Sequence, residues 1–139
     1  MRRRDVLLAA AGAALARPAV ASAAEGDVLD RLILREEAAA LAYEQRGMTL
    51  AARHAADHAK ALRTHVAALG RTGPAPASAP SRIGTPLALG RSLLAAYEDA
   101  LSALAEPSIL RTAATIAASH AQHLALLRRE AGQDPLHSP

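Results

Sequence analysis

The chain has 139 residues, of which 16 are basic and 13 acidic, giving a formal net charge of +3. It contains no cysteine, which excludes a disulfide framework, a thiolate zinc site and a cysteine nucleophile. Because phenylalanine and tryptophan are also absent, the core must be built mainly from leucine, isoleucine, valine and alanine.

The N-terminal segment has the features of an export signal. Three arginines at 2–4 precede an apolar run at 6–16, and the Ala-Ser-Ala at 21–23 fits the Ala-x-Ala cleavage pattern. The run is shorter than the ~20 residues of a membrane-spanning helix, and the arginine cluster resembles a twin-arginine signal. We therefore predict a signal peptide at 1–23 and export of a domain at 24–139 to the periplasm, cell envelope or extracellular space. An uncleaved amphipathic anchor is the alternative.

The exported domain is expected to be neutral. Removing the signal peptide takes away four arginines and one aspartate, which leaves 12 basic and 12 acidic residues. The basic character of the chain therefore comes largely from the leader, so we expect no nucleic-acid partner. We also expect the mature form not to span a membrane.

Two helices are predicted in the first half of the domain. Helix 1 is expected to begin at Asp27, a plausible N-cap, and to run to about Arg46, with apolar residues recurring at helical spacing. Helix 2 is expected from Thr49, a second candidate cap, to Leu69. Gly70 follows it, and glycine is the residue type preferred just after a helix.

Two further helices are predicted in the second half. Thr85 followed by Pro86 is an N-cap with proline at the first helical position, so helix 3 is expected to begin there and to stop before Pro107. Ser108 is expected to cap helix 4, which ends at Gly132. Each helix is ~20 residues or roughly 30 Å long.

The connections predict the topology. Short links between helices 1 and 2 and between helices 3 and 4 indicate two antiparallel hairpins. Residues 71–84 between helices 2 and 3 can reach about 46 Å at ~3.3 Å per residue, enough to cross the bundle. This pattern predicts an all-α, antiparallel four-helix bundle with a long connection between helices 2 and 3, as in ferritin-like bundles. An up-down bundle with a slack middle loop is the alternative.

An internal repeat relates helices 1 and 3. Residues 34–44 lie over residues 88–98 at a shift of 54, with matching Ala-Tyr-Glu triplets, while Glu37 faces Arg91. The domain resembles the ferritin-like superfamily, specifically the small exported bacterial ferritin-like domain proteins. The likeness rests on Glu37–Glu44, His58–Gly70, Leu94–Glu98, Leu110–Ile116 and Ala121–His123.

The resemblance implies which residues would bind metal. In metal-loaded members, helices 1 and 3 each give one Glu, and helices 2 and 4 each give a Glu-x-x-His. Carried over, Glu37, His58 and His123 match three of these six positions. The other three positions hold Ala55, Arg91 and His120, and each departure removes a carboxylate.

The charges disfavour a di-iron site. Two divalent ions bring +4, whereas Glu37 and Arg91 together sum to zero, and uncompensated charges in a bundle interior cost several kcal/mol each. Ferroxidase and oxygenase chemistry are disfavoured with it, and no enzymatic activity is predicted.

Two functions therefore stay open. In the first, Glu37, His58 and His123 bind a single Zn, Fe or Cu ion, with His54 or His120 as a fourth ligand. In the second, the chain is a non-catalytic interaction or structural bundle without metal, whose histidines hydrogen-bond to neighbours and whose Glu37 pairs with Arg91. An alanine-rich bundle could also pack against a second copy of itself.

Overall fold

The computed structural model describes the backbone of residues 3–82 and 84–136, and the side chains of 23–82 and 84–136. This part of the chain forms four helices and no strand, which confirms the all-helical prediction. The helices are α1 (Arg3–Gln45), α2 (Thr49–Ala68), α3 (Pro86–Leu101) and α4 (Pro107–Glu130). Within the described residues, none of the helices combines the length and apolarity needed to cross a membrane.

The side chains of the predicted signal peptide, apart from that of Ala23, fall outside the described residues. Residues 1 and 2, and the side chains up to residue 22, are not among those that the structure describes. The backbone of α1 nevertheless passes through Asp27, so the expectation that helix 1 begins at this residue was wrong. Alanine has the highest helix propensity, and the four alanines among residues 19–24 favour a helix that continues through Gly26 and Asp27.

Several other helix ends follow from local chemistry. Thr85 caps α3 as predicted, because its Oγ1 accepts a hydrogen bond from the backbone N–H of Ala88 at 3.1 Å. Gly70 and Gly132 follow α2 and α4 with φ of +71°, a conformation that favours glycine.

Two predicted caps were wrong. Thr49 is the first residue of α2 and not its cap, and Met48 before it makes no side-chain capping bond. Glu106, and not Ser108, caps α4: its Oε2 accepts from the N–H of Ile109 at 2.8 Å. Proline at the first helical position lacks the N–H that would otherwise need a partner, so α4 starts two residues earlier than expected.

The helices pack in a ring of neighbours. α1 contacts α2 and α3, and α4 also contacts α2 and α3. The core has two apolar clusters. The larger includes Leu29, Ile33, Leu62, Tyr97 and Ile109, all essentially buried. The smaller is formed by Ala39, Tyr43, Ala55 and Leu93. Burying each large apolar side chain contributes about 1.5–3 kcal/mol, so these clusters hold the helices together.

The connection between α2 and α3 is attached at both ends. Arg71, just after α2, donates to Asp27 at 2.7 Å and to Asp30 at 3.1 Å, both on α1. Its side chain lies against Gly26, where an added Cβ would approach the Arg71 Nε to 2.5 Å. At the other end Arg46 donates to the carbonyl of Gly84 at 2.6 Å. The connection is therefore tied at one end to Asp27 and Asp30 in the middle of α1, and at the other end to Arg46 just after α1.

Candidate metal centre

Glu36 of α1 is the most deeply buried acidic group among the described residues. It lies on the inward stripe of α1 between Ile33 of the larger cluster and Ala39 of the smaller one, and its exposed fraction is 0%. A carboxylate in such a place must be paired or hydrogen-bonded, because burying an unpaired charge is very costly.

Three side chains from the other helices converge on one oxygen of this carboxylate. Tyr97 of α3 donates its hydroxyl to Glu36 Oε1 at 2.7 Å. His120 of α4 places Nε2 at 2.6 Å from the same oxygen, and His58 of α2 places Nδ1 at 3.4 Å from it. The His58 and His120 rings meet edge to face with centroids 5.0 Å apart. Each of the four helices therefore contributes one polar side chain to this point.

Three polar atoms near this point have no hydrogen-bond partner in the described structure. They are Glu36 Oε2, His58 Nδ1 and the hydroxyl of Tyr43, and all are buried. Leaving a buried polar atom unsatisfied costs about 1–3 kcal/mol, so such atoms often mark a ligand, ion or water site. The unsatisfied atoms of Glu36 and His58 are of the types that bind transition metals.

The fold keeps Glu36 ionised. Burial alone would raise the pKa of Glu36, but the His120 hydrogen bond, the nearby His58 and the Tyr97 hydrogen bond outweigh it and lower the pKa below the ordinary 4.5. The negative charge acts in turn on the tyrosines. Burial, followed by the charge of Glu36, raises the pKa of Tyr43 to about 12. The same two causes, with the hydrogen bond to Glu36, also raise the pKa of Tyr97.

The arrangement can hold one metal ion. The ligand atoms of Glu36, His58 and His120 all lie within 4.8 Å of one another. Two imidazoles and one carboxylate suit zinc, iron or copper and leave coordination positions open for water or another molecule.

Glu37, predicted as the α1 ligand, points away from this centre. It accepts from Arg63 Nε at 2.8 Å and from the backbone N–H of Ala77 at 2.9 Å. Arg63 also donates to the carbonyl of Pro74 at 3.0 Å. Glu37 thus attaches the long connection to α1 and α2, and the expected pairing of Glu37 with Arg91 was wrong. Arg91 lies exposed on α3.

The predicted histidines separate into two levels. His58 and His120 reach Glu36, while His54 is exposed and His123 is half-buried. The His123 ring lies against Tyr43 with centroids 5.5 Å apart. Burial, followed by the nearby charges of His120 and His54, lowers the pKa of His123, and Glu130 acts in the opposite direction.

Sequence reasoning missed Glu36 and Tyr97. The sequence did contain a sign of the first, because Leu29, Glu36 and Tyr43 recur every seven residues on α1 and all three are buried. The internal repeat also indicated that Tyr97 is an interior residue, because Tyr97 matches Tyr43 at the shift of 54 and both are buried.

Comparison of the chain with protein-family models, with curated proteins and with solved structures finds no match.

Proposed function

We propose that the chain is an exported four-helix protein that binds one transition-metal ion through Glu36, His58 and His120. The observation that carries this proposal is the convergence of three ligand atoms within 4.8 Å inside the bundle, with Glu36 completely buried. Zn²⁺, Fe²⁺ and Cu²⁺ are the ions that this ligand set fits.

The hydrogen bonds around the centre support this role. Tyr97 holds Glu36 Oε1 in place, as partners outside the ligand set commonly do at metal sites, and leaves Oε2 free to bind. His120 Nε2 lies within hydrogen-bond distance of Glu36 Oε1, so binding through this nitrogen requires it to be unprotonated. Because protons compete with metal ions for imidazole nitrogens and carboxylates, metal uptake would weaken as the pH falls.

The helix arrangement supports a ferritin-like topology. Arg71 at the end of α2 meets Asp27 and Asp30 near one end of the bundle, and Arg46 at the end of α1 meets Gly84, which precedes α3, at the other. In this reading α1 is antiparallel to both α2 and α3, and the connection between α2 and α3 crosses the bundle. That is the connectivity of ferritin-like bundles.

Under this proposal the ligand positions that the resemblance implied shift by one residue on α1 and by three residues on α4. Glu36 replaces Glu37 on α1, and His120 replaces His123 on α4. Counting three residues back from each central histidine, and 54 residues on from Glu36, gives the remaining carboxylate positions. They hold Ala55, Ala117 and Gly90, all of them buried.

This revised set still argues against two ions. One carboxylate remains where four would balance two divalent cations, and a small apolar residue fills each of the other positions. At Gly90 an added Cβ would already lie 3.4 Å from side-chain carbons of Leu124 and Leu127. The proposal is therefore a mononuclear site derived from a di-metal ancestor, used for binding and not assigned a reaction.

The change from exposed to buried residues along α1 is compatible with cleavage of the signal peptide after Ala23. Ala23 and Ala24 are exposed, whereas Glu25, Val28 and Leu29 are buried. Glu25 also accepts from the backbone N–H groups of Ala105 and Glu106, at 2.5 and 2.7 Å, which secures the link between α3 and α4. Cleavage after Ala23 would leave these contacts intact, whereas cleavage a few residues later would remove them.

Metal titration of the purified full chain tests the function. We expect one tightly bound Co²⁺ or Zn²⁺ per chain, lost in Glu36→Gln and in the His58→Ala, His120→Ala double variant. Glu37→Gln is the matched control, because it changes the adjacent carboxylate and should keep the ion. Absence of binding in the wild-type chain would leave a metal-free structural bundle, in which Glu36 serves as a hydrogen-bonded core group.

A further inference from the structure

A groove lies between the start of α2 and the end of α4, one helical turn from His58 and His120 along the two helices. Its volume is about 440 Å³. It lies near one end of the bundle, and its lining includes Met48 just before α2, His54 of α2, and His123 and Glu130 of α4. These groups face each other because the start of α2 meets the end of α4. The opposite ends meet as well, where His65 Nε2 lies 2.8 Å from the Thr112 hydroxyl.

The groove histidines repeat the central pair one turn further out. His54 precedes His58 by four residues on α2, and His123 follows His120 by three residues on α4. On helices running in opposite directions, both displacements, ~6 and ~4.5 Å along the axis, point to the same end of the bundle. The two helices thus carry an outer pair of histidines beside the groove and an inner pair beside Glu36.

The outer pair is linked to the interior through Tyr43. The His123 ring packs against the Tyr43 ring at 5.5 Å, and the buried Tyr43 hydroxyl has no hydrogen-bond partner. The exposed fraction falls in steps along this line, from His54 at the surface through half-buried His123 to His120 at 5%. The imidazoles of His54 and His123 and the carboxylate of Glu130 are ligand types that bind the same ions as the inner set.

We infer that His54 and His123 form a capture site for divalent transition-metal ions, from which the ion passes inward to Glu36, His58 and His120. The inference rests on the proposed function and adds a route of entry to it. The outer pair takes the ion from solvent, since His54 is accessible, and the inner set retains it, since Glu36 supplies a buried negative charge.

Stopped-flow uptake of Co²⁺ by the metal-free full chain tests this route. The His54→Ala, His123→Phe variant removes the groove nitrogens and keeps a ring against Tyr43. We expect the same final absorption spectrum and one ion per chain, but uptake slower by about tenfold, the low end of the range by which charge-lined clefts raise association rates. His54→Ala alone, at an exposed position, should show a smaller slowing, and His65→Ala should show none.

The outcomes separate the two proposals. Uptake at the wild-type rate in the double variant overturns the capture site and leaves the inner site standing. Loss of the final complex in that variant also overturns it, because His54 or His123 would then be a ligand of the retained ion. No uptake by the wild-type chain overturns both proposals together. Normal stoichiometry with slowed uptake supports the route.

Discussion

Two adjacent glutamates on α1 lie in opposite environments. Glu36 faces the interior, where His58, His120 and Tyr97 converge on one of its oxygens. Glu37 faces the long connection between α2 and α3, where Arg63 and the backbone of Ala77 hold it. One residue turns a helix by about 100°, so neighbouring carboxylates can serve as a potential metal ligand and as a loop attachment. Burial and partners, and not residue type, distinguish the two.

The largest expected effect of this difference is on stability. Glu36→Ala removes the acceptor of Tyr97 and the carboxylate partner of His120 inside the core, and breaking such a buried set should cost about 3–5 kcal/mol. Glu37→Ala removes a partly exposed ion pair and one backbone hydrogen bond, and should cost about 1 kcal/mol. Urea unfolding of the metal-free chains measures both. Equal losses would show that Glu36 is not the structural centre of the bundle.

The four helices were largely predictable because local residue preferences determine most of their ends. Thr85 before Pro86, and Gly70 after α2, specify helix ends through their own backbone preferences, and both are found as expected. Asp27 was wrongly predicted to begin helix 1. A residue type that can cap a helix also occurs inside one when the residues before it favour a helix. The helix ends alone give a short link between α1 and α2, a long link between α2 and α3, and a short link between α3 and α4. Predicting these link lengths needed no tertiary information.

The centre was less predictable because its register depends on packing. Glu36 and Glu37 are chemically equivalent in the sequence, and His120 and His123 lie close together on one side of α4. Which member of each pair is deeper depends on how far α1 and α4 rotate when their neighbours pack against them. The seven-residue recurrence of Leu29, Glu36 and Tyr43 was the one local indication of the rotation of α1.

A second expected effect concerns the tyrosines. The chain has two tyrosines and no tryptophan, so tyrosinate absorbance reports on these residues alone. Burial and the charge of Glu36 raise the pKa of Tyr43 from 10.0 to about 12, and that of Tyr97 is also raised. The folded chain therefore holds these protons more tightly than the unfolded chain. This contribution to stability is complete below pH 10 and is lost as the pH rises from 10 toward 12.

Spectrophotometric titration with a parallel unfolding curve checks this prediction. Glu36→Gln should move the pKa of Tyr43 back toward 10, because it removes the charge but keeps the burial. Glu37→Gln, one position away, should leave the titration as in the wild type. Ionisation of both tyrosines near pH 10 in the folded wild-type chain would contradict the placement of Glu36 beside them.

The smallest expected effects compare two arginines that could have paired with Glu37. Arg63 holds Glu37 and the Pro74 carbonyl, so Arg63→Ala should cost about 1 kcal/mol or less, because the pair is partly exposed. It should also speed hydrogen exchange at the Ala77 amide, since the Glu37 carboxylate that accepts this bond would lose its position. Arg91 is exposed, and Arg91→Ala should change stability by no more than about 0.5 kcal/mol. If Arg91→Ala were the more damaging change, Glu37 would have to face α3, and the rotation of α1 that brings Glu36 to the two histidines would be wrong.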